Sequence, residues 1–322
     1  MKPGKIAACG AIAVLLLSAP YVVSAYYMTL AVTILAYSVA LLGLNLLFGY
    51  GGLVSLGHAL FLALGCYTAA VLGSRLGIAS FELQLLAAIG ATGFLALPLG
   101  LLAVRYSKIF FGMLTLSFAM IFYSFLMKFY ALTGGESGIA LARPRLIGWS
   151  FAGLDKTAFL AGPFYYYTLA VAALAVFVMY RLVESPFGLM LRAIRDNPQK
   201  ARFLGANAYR SRLLAFVVSA MFGGAGGALL GVSAGFADPE LAYWTHSGDL
   251  VFMIVLGEFG DFFGPIAGAT TFILLRDWLM SMTEYWRFLL GGLLALTVVV
   301  APSGLIGIVA MLRAEVADGS TA

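Results

Sequence analysis

Few side chains in this sequence have the type and spacing to do chemistry, and those few sit in apolar surroundings. Asn45, Ser55 and His58 lie among leucines and glycines, and Ser55 and His58 are three apart, close enough to face one cavity. An amide, a hydroxyl and an imidazole can stand in for water around a polar solute, which otherwise loses its hydration on entering an apolar layer. For a single histidine in such a span, a hydrogen-bonded packing role is the competing reading. Glu258 and Asp261 sit inside Gly257–Pro265, which reads GEFGDFFGP. They could hold an ion or substrate, or simply face water in a turn. Gly134, Gly135 and Glu136 belong to the polar stretch TGGESGI from Thr133 to Ile139, which could frame the mouth of a pathway or only reverse the chain. Finally, Arg192, Arg195, Lys200, Arg202, Arg210 and Arg212 crowd into Glu184–Arg212 against the carboxylates of Glu184 and Asp196.

Several chemistries are missing. There is no G-x-x-x-x-G-K-[ST] loop to cradle a nucleotide, no H-E-x-x-H pair and no Cys/His cluster at metal-ligand spacing. Neither a metal, a cofactor nor an enzymatic reaction is expected. Cys9 and Cys66 both lie in apolar segments, so a disulfide is not expected either. Carriers driven by protons or sodium usually hold the driving ion on carboxylates within their spans. This chain has few ionisable groups there, which favours a transporter energised from outside itself. An ion-coupled carrier using His58, Glu258 or Asp261 is the alternative.

These residues must be positioned by membrane helices. The chain has 322 residues, 62 % hydrophobic and 10 % charged, against about 25 % charged in soluble domains. The formal charge of +5 reports topology in such a chain, not nucleic-acid binding. The expected fold is all-α and polytopic, one transmembrane domain over 1–322 with about eight to ten helices. Spans are expected near 6–24, 27–48, 52–73, 83–104, 109–131, 164–182, 213–235, 249–280 and 288–311. The first competes with a signal peptide ending near Ala25, and an uncleaved span is favoured. The segment 249–280 must break or re-enter at its Gly-Pro-rich middle, as two short helices meeting at a turn. With the N-terminus inside, Arg105, Lys108, the segment 184–212 and Arg313 all fall on the cytoplasmic side.

Two local patterns are sharper. Asn197-Pro198 followed by Gly205 marks a short capped helix: the amide caps free N–H groups, proline suits the first helical position, and glycine suits the left-handed residue after the end. Two turns alone are marginal in water, so this helix must lean on its own membrane domain or on a partner. Gly223, Gly227 and Gly231 recur every four residues and let another helix approach closely, and Gly264 and Gly268 suggest the same.

Three ordered blocks resemble a known family. Gly43–Ala59, GLNLLFGYGGLVSLGHA, is similar to an L-N-L-L-x-G-Y-x-G-x-x-S-L-G-H-A stretch in the permease subunits of branched-chain amino acid ABC transporters, particularly the second of the paired permeases. Thr133-Gly134-Gly135 through Gly138 resembles that family's T-G-G-x-x-G, and Phe187–Asn197, Leu204-Gly205, Leu214–Phe216 and Gly227–Leu229 resemble its cytoplasmic loop and following span. The likeness covers roughly 40–310. It implies a bacterial inner-membrane subunit that works with a sister permease, two cytoplasmic ATPases and a periplasmic or extracellular substrate-binding protein. It also implies that Arg192, Ala193, Ile194, Arg195, Asp196, Asn197, Pro198, Leu204 and Gly205 couple to the ATPases. Leucine, isoleucine or valine is the implied cargo. Some relatives carry urea, amides or aromatic acids, so another small solute is the alternative.

Overall fold

The structure is a computed structural model that describes residues 15–106, 109–151 and 153–300. A helix over 15–22 (α1) leads into α2 (Ala25–Asn45), which continues as a π-helical turn over Leu46–Tyr50. Then come α3 (Ala59–Ser74), α4 (Phe81–Ala103), α5 (Ile109–Lys128) and the short turns α6 (Tyr130–Thr133) and α7 (Lys156–Phe159). The rest of the bundle is α8 (Tyr165–Val183), α9 (Pro186–Asp196), α10 (Pro198–Phe203), α11 (Ala208–Ala234), α12 (Trp244–Gly257), α13 (Gly264–Met282) and α14 (Trp286–Val300). Among the described residues, five stretches are long and apolar enough to cross a membrane: Ala25–Tyr50, Phe81–Ala103, Ile109–Lys128, Lys156–Val183 and Ala208–Ala234. The all-α, multi-pass reading holds, with a small β-pairing of Ile139–Ala140 against Phe236–Ala237.

Helix α11 is the axis of the bundle, and its glycines explain why. A Cβ on Gly227 would lie 1.9 Å from the Leu62 carbonyl oxygen of α3, and one on Gly231 would lie 2.8 Å from Cys66 Sγ. One on Gly223 would meet Phe61 Cβ at 3.1 Å. The stripe therefore seats α3, as its spacing predicts. The intervening glycines serve other neighbours: Gly224 faces Thr92 of α4, and Gly226 faces the Ala36 carbonyl of α2. Gly268 and Gly257 bring α13 and α12 into backbone contact in the same way, each too close to the other helix to carry a Cβ.

Several expected boundaries move. The third span is not helical from residue 52: the chain is irregular over 51–58, and the helix starts at Ala59. The α2 end and α5 press against this stretch, with Gly57 so close to the Thr115 carbonyl that a Cβ would sit 1.9 Å from it. The span expected at 164–182 begins earlier, at Lys156, and passes Pro163 through a π-helical turn over Leu160–Phe164. The span expected at 213–235 begins at Ala208, capped by Asn207. The segment 249–280 does break, into α12 and α13. Glu258 and Asp261 therefore lie in a turn and do not share a helix face. The start of the first span, the end of the last, Cys9, Lys108 and Arg313 lie outside the described residues.

The bundle has two distinct ends. One gathers the end of α2, the α9–α10 segment and the turn 258–263. The other gathers the 130–140 segment, the end of α11 and the start of the 156–183 helix, where Lys156 Nζ donates to the Ala234 carbonyl at 2.9 Å.

Candidate functional site

The first end is built on backbone groups that the sequence leaves free. At the end of α2 the π-turn, tight glycines and non-helical continuation leave the Gly49 carbonyl available, and Arg195 of α9 donates its Nη1 to it. The arginine stem crosses Gly52, where a Cβ would lie 2.7 Å from Arg195 Cγ and where φ is +67°. Asn45 uses both ends of its amide on the turn between α12 and α13: Nδ2 donates to the Asp261 carbonyl at 2.8 Å, and Oδ1 accepts from Gly260 N at 3.1 Å. Gly49 has no room for a Cβ beside that amide, because Asn45 Oδ1 would be 2.3 Å away. Asp261 caps α13, its Oδ1 accepting from Phe263 N at 2.8 Å and Gly264 N at 3.1 Å. Glu258 holds the turn at φ +81°, a conformation that non-glycine residues rarely adopt. Three chain segments distant in sequence are thus latched together through Arg195 and Asn45.

Helices α9 and α10 stand on this latch. Ser185 precedes Pro186 at the start of α9, and Gly188, Leu191 and Ile194 bury its inner face. Arg192 lies 4.9 Å over the Tyr50 ring and 3.7 Å from Glu184. The same face closes over Ala201 of α10 and Ala208 of α11. Asn197 Oδ1 accepts from Gln199 N at 3.1 Å and Lys200 N at 3.0 Å, Pro198 opens the helix, and Gly205 follows its end at φ +87°. The capped helix is present as the sequence predicts, and it leans on its own domain through Ala201. Its other side is bare: Phe203 is 91 % and Leu204 88 % exposed. Such residues at a helix end, beside Lys200 and Arg202, form a basic and apolar knob.

The residues expected to line a pathway are not brought together. Asn45 belongs to the latch. Ser55 and His58 are buried as well, and among the described residues neither the Ser55 hydroxyl nor the His58 ring completes a side-chain hydrogen bond. The His58 ring packs edge-on to Phe61 at 5.5 Å, with the Ser219 backbone beside it. Gly134 and Gly135 take φ values of +77° and +55°, and Glu136 is exposed, all at the opposite end of the bundle. Gly138 is pressed against the Ala237 carbonyl, where a Cβ would come within 2.2 Å, so this stretch tethers α5 to the end of α11. His58→Leu keeps similar bulk and separates packing from conduction. If His58 only packs, uptake per assembled molecule stays within about twofold of wild type, the range of a surface-neutral change. If it lines the route, maximal uptake drops with no change in assembly.

Sequence reasoning missed two features. Helix α9 was hidden because its basic residues draw attention from the apolar spacing Gly188, Leu191, Ile194, with Ser185-Pro186 as its start signal. Asp238, His246 and Arg276 come together around a cavity at the second end, although they lie in separate parts of the chain. Only the His246–Asp249 spacing on one helix was visible locally.

Comparison with known proteins places this architecture. The family model described as "Branched-chain amino acid transport system / permease component" matches residues 6–298. The high-affinity branched-chain amino acid transport system permease protein LivM of Escherichia coli is 31 % identical over 319 residues, covering 92 % of this chain and 73 % of that protein. More partial likenesses are to the guanosine ABC transporter permease protein NupQ of Bacillus subtilis, 34 % identical over 26 % of this chain and 25 % of its own, and to the galactose/methyl galactoside import permease protein MglC of Haemophilus influenzae, 27 % identical over 38 % of each. No solved structure matches the chain. With residues 6–298 matched and its helices packed as a multi-pass bundle, the chain belongs to the branched-chain amino acid transport system permease family, as a membrane permease subunit of an ABC importer.

Proposed function

We propose that this subunit moves leucine, isoleucine and valine across a bacterial inner membrane, paired with a sister permease and driven by two cytoplasmic ATPases. A separate binding protein delivers the amino acid at the end carrying Gly134–Glu136. The observation that carries this reading is the capped α9–α10 element: a basic helix with Phe203 and Leu204 exposed, fixed to the end of α2 by Arg195 and to the α12–α13 turn through Asn45. An element that offers an apolar knob outward and grips spans inward is suited to carry motion from a docked ATPase to the helices. It also gives Arg192–Gly205 a purpose that a passive connector lacks. The N-terminus then lies in the cytoplasm with this segment.

Reconstitution with the partner subunits tests the proposal. Leucine uptake should require ATP and survive collapse of the proton gradient; uptake that needs the gradient and no ATPase would reject it. Gly205→Val probes the docking element. Nothing lies near a Cβ at this position, so the penalty is conformational, about 1–2 kcal/mol for a left-handed residue. The variant should insert normally and bind the ATPases about tenfold less tightly, as that energy implies. Unchanged substrate-stimulated ATP hydrolysis would make the segment a passive loop. Orientation is checked by thiol labelling. Lys200→Cys should react only from the cytoplasm and Ser137→Cys from the outside, and labelling of position 200 by an impermeant reagent on intact cells would invert the topology.

A further inference from the structure

A cavity of ≈ 340 Å³ opens at the second end, between α2, α11, α12 and α13. Small-molecule sites run from about 300 to 1,000 Å³, so this one suits a small ligand. Its wall is apolar along Leu230 and Leu241, with Thr29 toward one side. Two opposite charges face the same space: Asp238, from the segment leaving α11, and Arg276, on α13. Both are partly buried. Among the described residues, neither forms an ion pair within salt-bridge distance. Asp238 uses Oδ1 to accept from Glu240 N at 2.9 Å, and among the described residues its other oxygen accepts no hydrogen bond. The Arg276 guanidinium lies 5.3 Å from the Trp286 ring centre, which orients it without neutralising it. His246 lines the cavity too, but its ring faces Asp249, with Nδ1 and Oδ2 3.9 Å apart.

A cation and an anion left unpaired in one half-apolar cavity select for a ligand carrying both complements. A carboxylate alone would leave Asp238 unmatched, and an amine alone would leave Arg276 without a direct partner. We infer that this cavity is a receiving site for a zwitterionic α-amino acid within the permease itself, with the carboxylate on Arg276, the ammonium on Asp238 and a compact aliphatic side chain against Leu230 and Leu241. The inference rests on the proposed function for the identity of the cargo. It adds that recognition does not end at the separate binding protein: the membrane subunit checks both charged groups before the solute goes deeper.

The experiment uses the full chain in lipid nanodiscs, without partners, carrying Thr29→Cys at the partly buried rim. The rate of maleimide modification at position 29 is followed with leucine, leucinamide or 4-methylpentanoate present. Leucine should slow modification, whereas leucinamide, lacking the carboxylate, and 4-methylpentanoate, lacking the ammonium, should protect far less. Added R276Q or D238N should each weaken leucine protection by about tenfold in concentration, the scale of one charge-assisted contact. R276Q should also remove the preference for leucine over leucinamide. R276K and the ligand-free labelling rate control for folding: R276K should retain partial protection, and the basal rate should not change. Equal protection by all three compounds, or none by leucine, would overturn the site. Leucine import by the complete reconstituted transporter is measured in parallel. Import without protection rejects the cavity alone, whereas absence of import of leucine, isoleucine and valine rejects the cargo assignment.

Discussion

Gly227→Ala should remove most of the assembled protein from the membrane, although it adds a single methyl group. The new Cβ would lie 1.9 Å from the Leu62 carbonyl oxygen, a backbone atom of α3 that cannot rotate aside. Helix α11 cannot retreat either. On its other sides Gly224 meets Thr92 Oγ1 at a distance of 2.3 Å from a Cβ, and Gly226 meets the Ala36 carbonyl at 2.6 Å. Overpacking usually costs about 1–3 kcal/mol, and a backbone-to-backbone overlap locked on three sides belongs at or above the top of that range. In a bilayer the close approach is itself the source of helix association, since lipid offers no hydrophobic gain for helix pairing. Gly90→Ala is the matched control, because nothing lies within 4 Å of its Cβ position on α4. Fluorescence-detected size-exclusion should show a normal peak for Gly90→Ala and a strongly diminished one for Gly227→Ala, with a lower Tm for what remains. Comparable peaks and Tm values would mean that α3 and α11 are not held by this contact.

What the sequence reveals here depends on how local the cause is. The glycine stripe is legible because a four-residue recurrence of glycine in an apolar helix has few uses other than close packing. The α10 helix is legible because all its determinants, Asn197, Pro198 and Gly205, lie within one stretch and act on their own backbone. The break between α12 and α13 is legible from glycine and proline that could not face lipid as a smooth helix. The non-helical stretch 51–58 is only half legible: its glycines announce a break, but its extent is set by close packing against Thr115 and Ser247, which lie on α5 and α12. The β-pair of Ile139–Ala140 with Phe236–Ala237 and the Lys156 start of the 156–183 helix depend on contacts of the same long range.

The site divides along the same line. Asn45 reads as a polar group exposed to a pathway because its true partners are 215 and 216 residues away in sequence. The cavity holding Asp238 and Arg276 is invisible for the same reason: the two lie 38 residues apart in sequence, on separate segments, until the fold turns them toward one space. Asp261 reads in sequence either as an ion-binding carboxylate or as a turn residue, and in structure it lies in the turn, its Oδ1 accepting from Phe263 N and Gly264 N.

Asn45→Leu should produce an uncoupled transporter. Leucine has similar bulk and fits a buried position, but it can neither donate to the Asp261 carbonyl nor accept from Gly260 N–H. Each buried polar group left without a partner costs about 1–3 kcal/mol, and the partly exposed turn places both near the lower figure. That is small beside the packing of α11 with α2, α3 and α4, so insertion and assembly should survive. It is large for the turn, which already holds Glu258 at φ +81° against its own preference. Released from Asn45, the 258–263 turn keeps the Asp261 cap and the Phe48–Phe259 ring contact but loses its hydrogen bonds to α2, while Arg195 still grips Gly49. Motion arriving through α9 would then reach α2 but pass to α12 and α13 only through looser side-chain packing. In the reconstituted complex, leucine imported per ATP hydrolysed should fall by about thirtyfold, the equivalent of two hydrogen bonds at the lower figure. Hydrolysis itself should continue, and amide exchange over 258–263 should quicken. Asn45→Asp should do no better, because it keeps the acceptor for Gly260 but sets a carboxylate against the Asp261 carbonyl. An unchanged import-to-hydrolysis ratio in Asn45→Leu would show that the turn is held by α13 capping alone and that the path of coupling runs elsewhere.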